Sequence, residues 1–181
     1  WLRDRMKFFK KAPETEKIIK SLNSNNGIYL VPAFTGLGAP HWNANSRGVL
    51  SGITRDTSPK EIIRATIEAV AYQTYDLFEA MKHDGLRPRI VKVDGGMVMN
   101  NWFSQFLSDV VNVKVLRPKV QETTAAGAAF MAGLKIGVYK SLKDISKNWH
   151  LDRNFSPKMN DKSRKLLIKG WSLAIKRTLI N

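Results

Sequence analysis

The sequence predicts an α/β fold, in which helices cover a sheet that contains parallel strands. Short apolar segments with strand character alternate along the chain with longer segments of helical periodicity. This alternation is typical of layered α/β domains with right-handed connections. Such domains bind ligands at the carboxyl ends of parallel strands, and Asp94, Gly95 and Gly96 directly follow one predicted strand.

The first third of the chain predicts one helix and two strands. Ile18, Ile19 and Leu22 recur at helical spacing, and an Asn-rich turn ends that segment. Two β-branched segments further on are separated by a stretch rich in Gly, Pro and Asn. The elements predicted here are a helix at 14–22, strands at 27–32 and 49–54, and a loop at 33–48.

A long helix begins after residue 58 and carries the clearest start signal in the chain. Ser58 is its predicted N-cap, Pro59 takes the first position, and Glu61 completes a capping box. Arg64 and Glu68, one turn apart, are expected to form a modest surface pair. The predicted apolar side consists of Ile63, Ile67, Val70, Thr74, Leu77, Phe78 and Met81, and the polar side of Lys60, Glu61, Arg64, Glu68, Glu79 and Lys82.

The rest of the chain continues the alternation. Asn100 is the best N-cap for a helix that follows the glycine pair. Another helix is built of small residues, whose glycines sacrifice helix propensity, and close packing of that helix against the sheet is the expected reason. The predicted elements are strands at 89–93 and 113–118 and helices at 100–111, 122–137 and 162–179.

Composition indicates a single globular domain over residues 1–181. Hydrophobic residues make up 43% of the 181-residue chain, enough for one good core. The chain contains no cysteine, which favours a reducing compartment and predicts a cytoplasmic location. No apolar run approaches the roughly 18 residues that span a bilayer, so no membrane partner is expected. The chain begins at Trp1 without an initiator methionine, which suggests a fragment.

The formal charge of +15 raises the alternative of a nucleic-acid-binding domain. The basic residues are scattered, however, and no RNA-binding signature with interleaved aromatic residues is present. A solvated basic exterior is therefore the favoured interpretation. The three histidines, His41, His83 and His150, lack metal-ligand spacing, so no metal site is predicted.

The glycine pair is the main candidate for a binding function. Gly95 and Gly96 follow a strand and precede a helix start, so their backbone can approach an anion closely. The spacing matches neither the dinucleotide fingerprint nor a Walker loop, and a tight turn is the alternative. Asp94 is expected to orient the turn by accepting bonds from its amides. Met97, Met99 and Trp102 could form a pocket wall or pack in the core.

Several motifs, taken together, carry a family resemblance. In their order and separation they are similar to the carboxyl-terminal half of the glycerol kinases, within the FGGY family of carbohydrate kinases. The resemblance covers essentially the whole chain. One residue departs from the family pattern, because His41 stands where an aromatic residue is usual. The motifs are VPAFTGLGAPHW, SRGVLSGITR, IIRATIEAVAYQT, VDGGMVMNNWFSQFLSDV and RPKVQETTAAGAAFMAGLKIGVY.

The resemblance implies an actin-like ATPase fold of the ribonuclease-H-like type, with a mixed sheet flanked by helices. It also implies two domains around a cleft, of which this chain would be the second, nucleotide-binding one. The implied reaction transfers the γ-phosphoryl group of MgATP to a terminal hydroxyl of glycerol. A kinase for another polyol or sugar is the alternative within the family.

The resemblance further implies where the working residues lie. Gly95 and Gly96 would face the ATP or ADP, and Asn100 would hydrogen-bond it. Gly127 and its alanine neighbours would let their helix approach the sheet or the adenosine pocket, and packing is the favoured of the two. The catalytic base, the glycerol contacts and the Mg²⁺ ligands would lie in the other domain, so this chain would contain no catalytic residue and be inactive alone. The full-length enzyme would be a homo-oligomer.

Overall fold

The computed structural model describes residues 1–180, which form six α-helices and five short β-strands. The strands are β1 (Tyr29–Val31), β2 (Val49–Ser51), β3 (Ile90–Lys92), β4 (Lys114–Pro118) and β5 (Leu151–Phe155). The helices are α1 (Glu14–Lys20), α2 (Pro59–His83), α3 (Asn101–Val111), α4 (Thr123–Lys135), α5 (Leu142–Ser146) and α6 (Asp161–Leu179).

The strands form two small sheets. β1 and β2 pair antiparallel, and the second sheet has the order β3-β4-β5. Within it β3 and β4 are parallel and connected through α3, whereas β5 is antiparallel to β4. The sheet is therefore mixed. The sequence did not predict β5. Its residues LDRNF are mostly polar and only Phe155 is buried, so the segment lacks the apolar alternation of a half-buried strand.

The start of α2 is as predicted. The Ser58 hydroxyl accepts a hydrogen bond from the Lys60 amide at 3.2 Å, and the Glu61 carboxylate accepts one from the Ser58 amide at 3.0 Å. These bonds satisfy donors that the first helical turn leaves without partners. The capping box and Pro59 thus fix where this 25-residue helix begins.

The predicted sides of α2 are partly wrong. Glu61, Arg64 and Glu68, assigned to the polar side, are buried, while Leu77 and Met81 are 39% and 40% exposed. The helix is packed by α1, α3 and β1 together, so its first half is enclosed on more than one side. A single apolar stripe cannot describe a helix in that position.

The main core lies between α2, α3 and α6. Tyr72 of α2 stacks on Trp171 of α6 with 5.3 Å between ring centroids, and it meets Phe106 of α3 edge-on at 5.6 Å. Such pairs contribute roughly 0.5–1.5 kcal/mol beyond the area they bury. Trp171 and Ala174 of α6 are buried, and Leu167 packs half-buried against the same core.

The expected packing of the small-residue helix is not observed. Gly133 alone among the α4 residues is buried. A Cβ atom added at Gly127 would meet no other atom within 4 Å. In residues 1–180, then, the alanines and glycines of α4 do not serve a close approach to the sheet.

None of the helices in residues 1–180 is long and apolar enough to cross a membrane.

Candidate functional site

The glycine pair lies where β3 gives way to α3. Gly95 adopts φ +82°, a left-handed conformation that glycine tolerates best, and its amide donates to the Gln121 carbonyl at 3.2 Å. Gly96 has no such backbone demand and opens a 3₁₀ turn, Gly96–Met99, which the sequence reasoning did not foresee. The two glycines therefore have different roles: the backbone conformation requires glycine at position 95 but not at position 96.

Asp94 connects two elements. Its carboxylate accepts a hydrogen bond from the Thr123 hydroxyl, at the first residue of α4. The expectation that Asp94 bonds the amides of its own turn is thus replaced by a contact with the start of another helix. The ends of β3 and of the β4–α4 connection are thereby brought together at one edge of the sheet.

Gly96 and Asn100 line a cavity of about 450 Å³, a size typical of small-molecule sites. Gly95 is not among its lining residues. The wall opposite the glycine turn comes from residues 9–16, a contribution that no motif signalled. Apolar side chains dominate the lining, which consists of Phe9, Ala12, Pro13, Thr15, Glu16, Ile67, Gly96, Met97, Met99 and Asn100.

The large side chains near the glycine pair, predicted to form a pocket wall or to pack in the core, differ in position. Met97 and Met99 are partly exposed and line the cavity. Trp102 instead stacks on Phe106 at 4.9 Å and lies beneath the Arg64 guanidinium at 5.0 Å, so it packs half-buried against the core and does not line this cavity.

Asn100 caps α3 as predicted. Its Oδ1 accepts from the Phe103 amide at 2.9 Å, and its Nδ2 lies 3.4 Å from the Thr15 hydroxyl. The side-chain amide nitrogen has two hydrogens, so one donor remains for a ligand after the Thr15 contact. The cap holds that donor in place at the cavity wall.

Glu16 sets the electrostatics of the same cavity. Although partial burial opposes ionisation, hydrogen bonds from the Lys20 ammonium and the Asn101 amide give Glu16 a net lowered pKa. Those bonds measure 2.6 and 3.2 Å. The cavity therefore has an ionised carboxylate at its wall, and the Lys20 ammonium compensates much of its charge.

Arg64 and Glu68 form a buried pair, so the expectation of a surface pair is wrong. Arg64 Nε donates to Glu68 Oε1 at 2.8 Å, and Oε2 accepts from the Asn25 amide at 2.7 Å and the Tyr72 hydroxyl at 3.3 Å. Burial raises the pKa of Glu68 despite these donors. Spacing within α2 alone could not reveal that the chain around residues 22–25 covers the pair.

His41 has a structural partner. Its Nε2 lies 3.2 Å from Asp76 Oδ2, which also accepts from the indole Nε1 of Trp171 at 2.8 Å. Asp76 of α2 thus connects His41, in the loop at 33–48, with Trp171 of α6. Among residues 1–180 there is no group of three or more His, Cys, Asp or Glu side chains that could hold a metal ion.

The sequence profile of the FGGY family of carbohydrate kinases, C-terminal domain, matches residues 1–136. The chain therefore belongs to this family.

Glycerol kinases are among its relatives. Glycerol kinase 1 of Pseudomonas aeruginosa is 52% identical over 177 residues, which cover 98% of this chain and 36% of that protein. The crystal structure of Plasmodium falciparum glycerol kinase with ADP superposes with a TM-score of 0.87 at 35% identity, covering 100% of this chain and 36% of that one. The chain thus spans little more than a third of its relatives.

A more distant structure shows the same fold. Ligand-bound xylulose kinase of Lactobacillus acidophilus superposes with a TM-score of 0.76 at 24% identity, covering 97% of this chain and 36% of that one. The predicted fold class, an actin-like ATPase of the ribonuclease-H-like type, is confirmed by these likenesses.

Proposed function

We propose that this chain is the nucleotide-holding part of an ATP-dependent glycerol kinase. The observation that carries the proposal is the cavity between residues 9–16 and the turn at 96–100, which joins two of the predicted nucleotide contacts, Gly96 and Asn100. The similarity to glycerol kinases along nearly the whole chain supports glycerol as the acceptor. The absence of cysteine favours a cytoplasmic enzyme.

The cavity suits the base and ribose end of ATP. Its walls are apolar side chains with a few polar groups, the usual composition of a site that holds a flat heterocycle. Met97 and Met99 have flexible, polarizable side chains that pack well against an aromatic ring. Asn100 supplies a donor at the rim, and Gly96 leaves room because a Cβ atom there would meet nothing within 4 Å.

Glu16 indicates how the ligand lies. Its carboxylate already accepts from Lys20 and the Asn101 amide and offers a phosphate no donor, so we place the phosphates away from Glu16 and the base towards it. Gly95, which lies beside the start of α4, is then nearer to the phosphate end. Unpaired amides at a helix start attract anions, which fits that direction.

We assign the Mg²⁺ ligands and the catalytic base to the part of the kinase outside this chain. Residues 1–180 hold no cluster of carboxylates suited to Mg²⁺, so its ligands and the catalytic base would come from the other wall of the cleft. Phosphoryl transfer depends mostly on positioning and on neutralising charge around the transferred group. Half of such a cleft can bind a nucleotide but cannot transfer its γ-phosphoryl group.

Two measurements test this proposal. Calorimetric titration of the chain with ADP should show weak but saturable binding, and hydrogen exchange should slow at residues 96–100. Incubation with MgATP and glycerol should form no glycerol phosphate above blank. Saturable ADP binding with slower hydrogen exchange at residues other than 96–100 would place the nucleotide site elsewhere. Turnover of glycerol near a typical value of about 10 per second would contradict the proposal that this chain forms only half of the cleft.

The acceptor is tested on an intact kinase that contains this chain. Glycerol should be phosphorylated with a kcat/KM far above that of xylulose. A preference for xylulose or another sugar would instead support the alternative, a kinase of the same family with a different substrate.

A further inference from the structure

Arg117 of β4 is a buried charge that stands outside the candidate site. Its side chain is only 6% exposed, and it is not among the residues that line the cavity beside the glycine turn. A buried cation is costly unless it is paired and hydrogen-bonded. The partners that compensate Arg117 therefore indicate why the fold holds an arginine at this position.

The guanidinium of Arg117 bonds to the turn that forms one wall of the cavity. Its Nη1 donates to the Val98 carbonyl at 2.8 Å and to Asn101 Oδ1 at 3.2 Å. The Met99 carbonyl lies 3.4 Å from the same nitrogen. Val98 and Met99 belong to the 3₁₀ turn, and Asn101 is the first residue of α3. Arg117 thus holds the chain on both sides of Asn100.

β5 supplies the groups that fix Arg117. Asp152 Oδ2 lies 2.7 Å from both Nε and Nη2 of the guanidinium. Arg153, which is opposite Arg117 in the strand register, donates to the same Asn101 Oδ1 at 2.9 Å. The charged residues of this polar strand are therefore used to hold the start of α3 and the turn before it.

The turn depends on such outside support. The hydrogen bonds of a 3₁₀ turn have poorer geometry than those of an α-helix, so they hold a short turn less firmly. The Ser104 hydroxyl also donates to the Val98 carbonyl, at 2.9 Å, so that oxygen accepts from two side chains. The residues beside Val98, by contrast, present their side chains to the cavity, since Met97 and Met99 line it.

We propose that Arg117, held by Asp152, is a positioning residue for nucleotide binding, which fixes the turn so that Gly96 and Asn100 face the cavity in one arrangement. This role depends on the proposed function, because the ligand of the cavity is the nucleotide proposed above. A lysine cannot replace Arg117, since a single ammonium lacks the planar fork that bonds a carboxylate and the turn at once. If the turn takes the binding arrangement in only a fraction of the molecules, the apparent affinity falls by that fraction.

The first test compares Arg117→Lys with a matched control, Ser108→Ala, by calorimetric titration with ADP. Ser108 is buried near the other end of α3, where its hydroxyl lies 2.8 and 3.0 Å from the carbonyls of Val113 and Phe155. Its loss should lower stability without touching the turn.

Arg117→Lys should weaken ADP binding about tenfold, as expected when roughly a tenth of the molecules hold the turn in place. Ser108→Ala should change ADP affinity less than about twofold, within the effect of one lost hydrogen bond. Unchanged ADP affinity in a folded Arg117→Lys chain would overturn the proposal, as would equal losses of affinity in both variants.

A second pair of variants keeps Arg117 and changes its partner. The Asp152 side chain is 39% exposed, so water can replace its contacts and the fold should tolerate the change. Asp152→Ala should free the guanidinium and weaken ADP binding a few-fold, corresponding to one lost hydrogen bond. Asp152→Asn keeps an acceptor oxygen and should recover most of the affinity. Native affinity in Asp152→Ala, or an equal loss in both variants, would contradict a positioning role.

Amide exchange separates this proposal from the proposed function. In the chain without ligand, residues 97–101 should exchange faster in Arg117→Lys than in the native sequence, and no faster in Ser108→Ala. Faster exchange without any loss of ADP affinity would overturn the positioning role and leave the nucleotide site standing. A native chain that binds no ADP would instead overturn the proposed function, and the role of Arg117 in nucleotide binding with it.

Steady-state kinetics provide the last readout, in an intact kinase that contains this chain. Arg117→Lys should raise the KM for ATP about tenfold, change the KM for glycerol less than about twofold, and alter kcat less than the KM for ATP. Equal rises in both KM values would show a general loss of structure and would overturn the proposal.

Discussion

The guanidinium of Arg64 and the carboxylate of Glu68 form an ion pair inside the protein, with 2.8 Å between Nε and Oε1. Their side chains are 11% and 1% exposed. The Arg64 guanidinium also donates to the Leu22 carbonyl at 2.6 Å, so the pair fastens the chain after α1 to the middle of the fold. A buried charge that loses its partner is costly, because neither water nor another group replaces it.

Arg64→Met should therefore lower the free energy of unfolding by about 3–5 kcal/mol. Adding Glu68→Gln should recover part of this loss, because the neutral amide oxygen still accepts from Asn25 and Tyr72. The matched control is Lys82→Ala, which breaks the exposed pair with Glu79 and should cost under about 1 kcal/mol. Denaturant titration measures all three, and equal losses for Arg64→Met and Lys82→Ala would contradict the burial of the pair.

The sequence predicted element order better than burial. The capping box placed the start of α2 correctly, because its signal lies within four neighbouring residues. The buried side of that helix was misjudged, since it depends on α1, α3 and β1, which arrive from distant parts of the chain. β5 was missed for the related reason that its pairing with β4, rather than its own apolar pattern, makes it a strand.

Removal of the α2 cap tests whether the Ser58 side chain stabilises the start of this helix. Ser58→Ala deletes the acceptor for the Lys60 amide and should cost about 1 kcal/mol of stability. Ser163→Ala is a control within the first turn of α6, where the cap is the side chain of Asn160. Thermal unfolding of both variants should show a lower midpoint only for Ser58→Ala. A similar shift in both would mean that the cap adds nothing.

The same cap predicts a dependence on pH. The Ser58 hydroxyl, which donates to Glu61 at 2.5 Å, holds the pKa of that carboxyl below its ordinary value of 4.5. Because the folded pKa is the lower one, the stabilisation is complete above the unfolded pKa and is lost as pH falls through the folded pKa. Glu61→Gln keeps a capping side chain without the charge. The stability difference between the native chain and this variant should stay constant from pH 7 to about 5 and shrink below it. A difference that grows on acidification would mean that folding raises the pKa of Glu61 instead of lowering it.

Two helical glycines should respond oppositely to alanine. Alanine favours a helix over glycine by about 1 kcal/mol. At Gly127 of α4 an added methyl group would meet no side chain or neighbouring element within 4 Å, so Gly127→Ala should stabilise the isolated chain by up to that amount. At Gly170 of α6 the new methyl group would overlap the ring and hydroxyl of Tyr29. Overpacking of this kind costs about 1–3 kcal/mol and should outweigh the helix gain. Denaturant titrations that moved both variants in the same direction would contradict the packing described for α4 or for Tyr29.

The candidate site was predictable on one side only. Gly96 and Asn100 stood out because a glycine turn and a helix cap are local patterns. The opposite wall, from Phe9 to Glu16, carries no motif and becomes part of the cavity only through the packing of α1 beside α3. The different roles of Gly95 and Gly96 were not predictable either, because they depend on the backbone angle of Gly95.

Gly96→Val should weaken ADP binding while leaving the fold intact. Gly96 lacks a left-handed backbone angle and has open space around its Cβ position, so the valine side chain enters the cavity rather than clashing with protein. Gly95→Ala is the contrasting variant, because alanine at φ +82° is strained and should lower stability first. Calorimetry with ADP and a thermal melt separate the two effects. Unchanged ADP affinity in a folded Gly96→Val chain would remove this cavity from the proposed nucleotide site.

Asn100 allows capping and ligand binding to be separated within one side chain. Asn100→Ser keeps an oxygen that can accept from the Phe103 amide but deletes the amide donor, whereas Asn100→Ala removes both. Loss of one hydrogen bond to the nucleotide, about 0.5–1.5 kcal/mol, corresponds to a few-fold to roughly tenfold weaker binding in both variants. Only Asn100→Ala should also lose about 1 kcal/mol of stability. In the intact kinase the same variants should raise the KM for ATP more than the KM for glycerol, with kcat changing less. A rise confined to the KM for glycerol would place the acceptor, rather than the nucleotide, against Asn100.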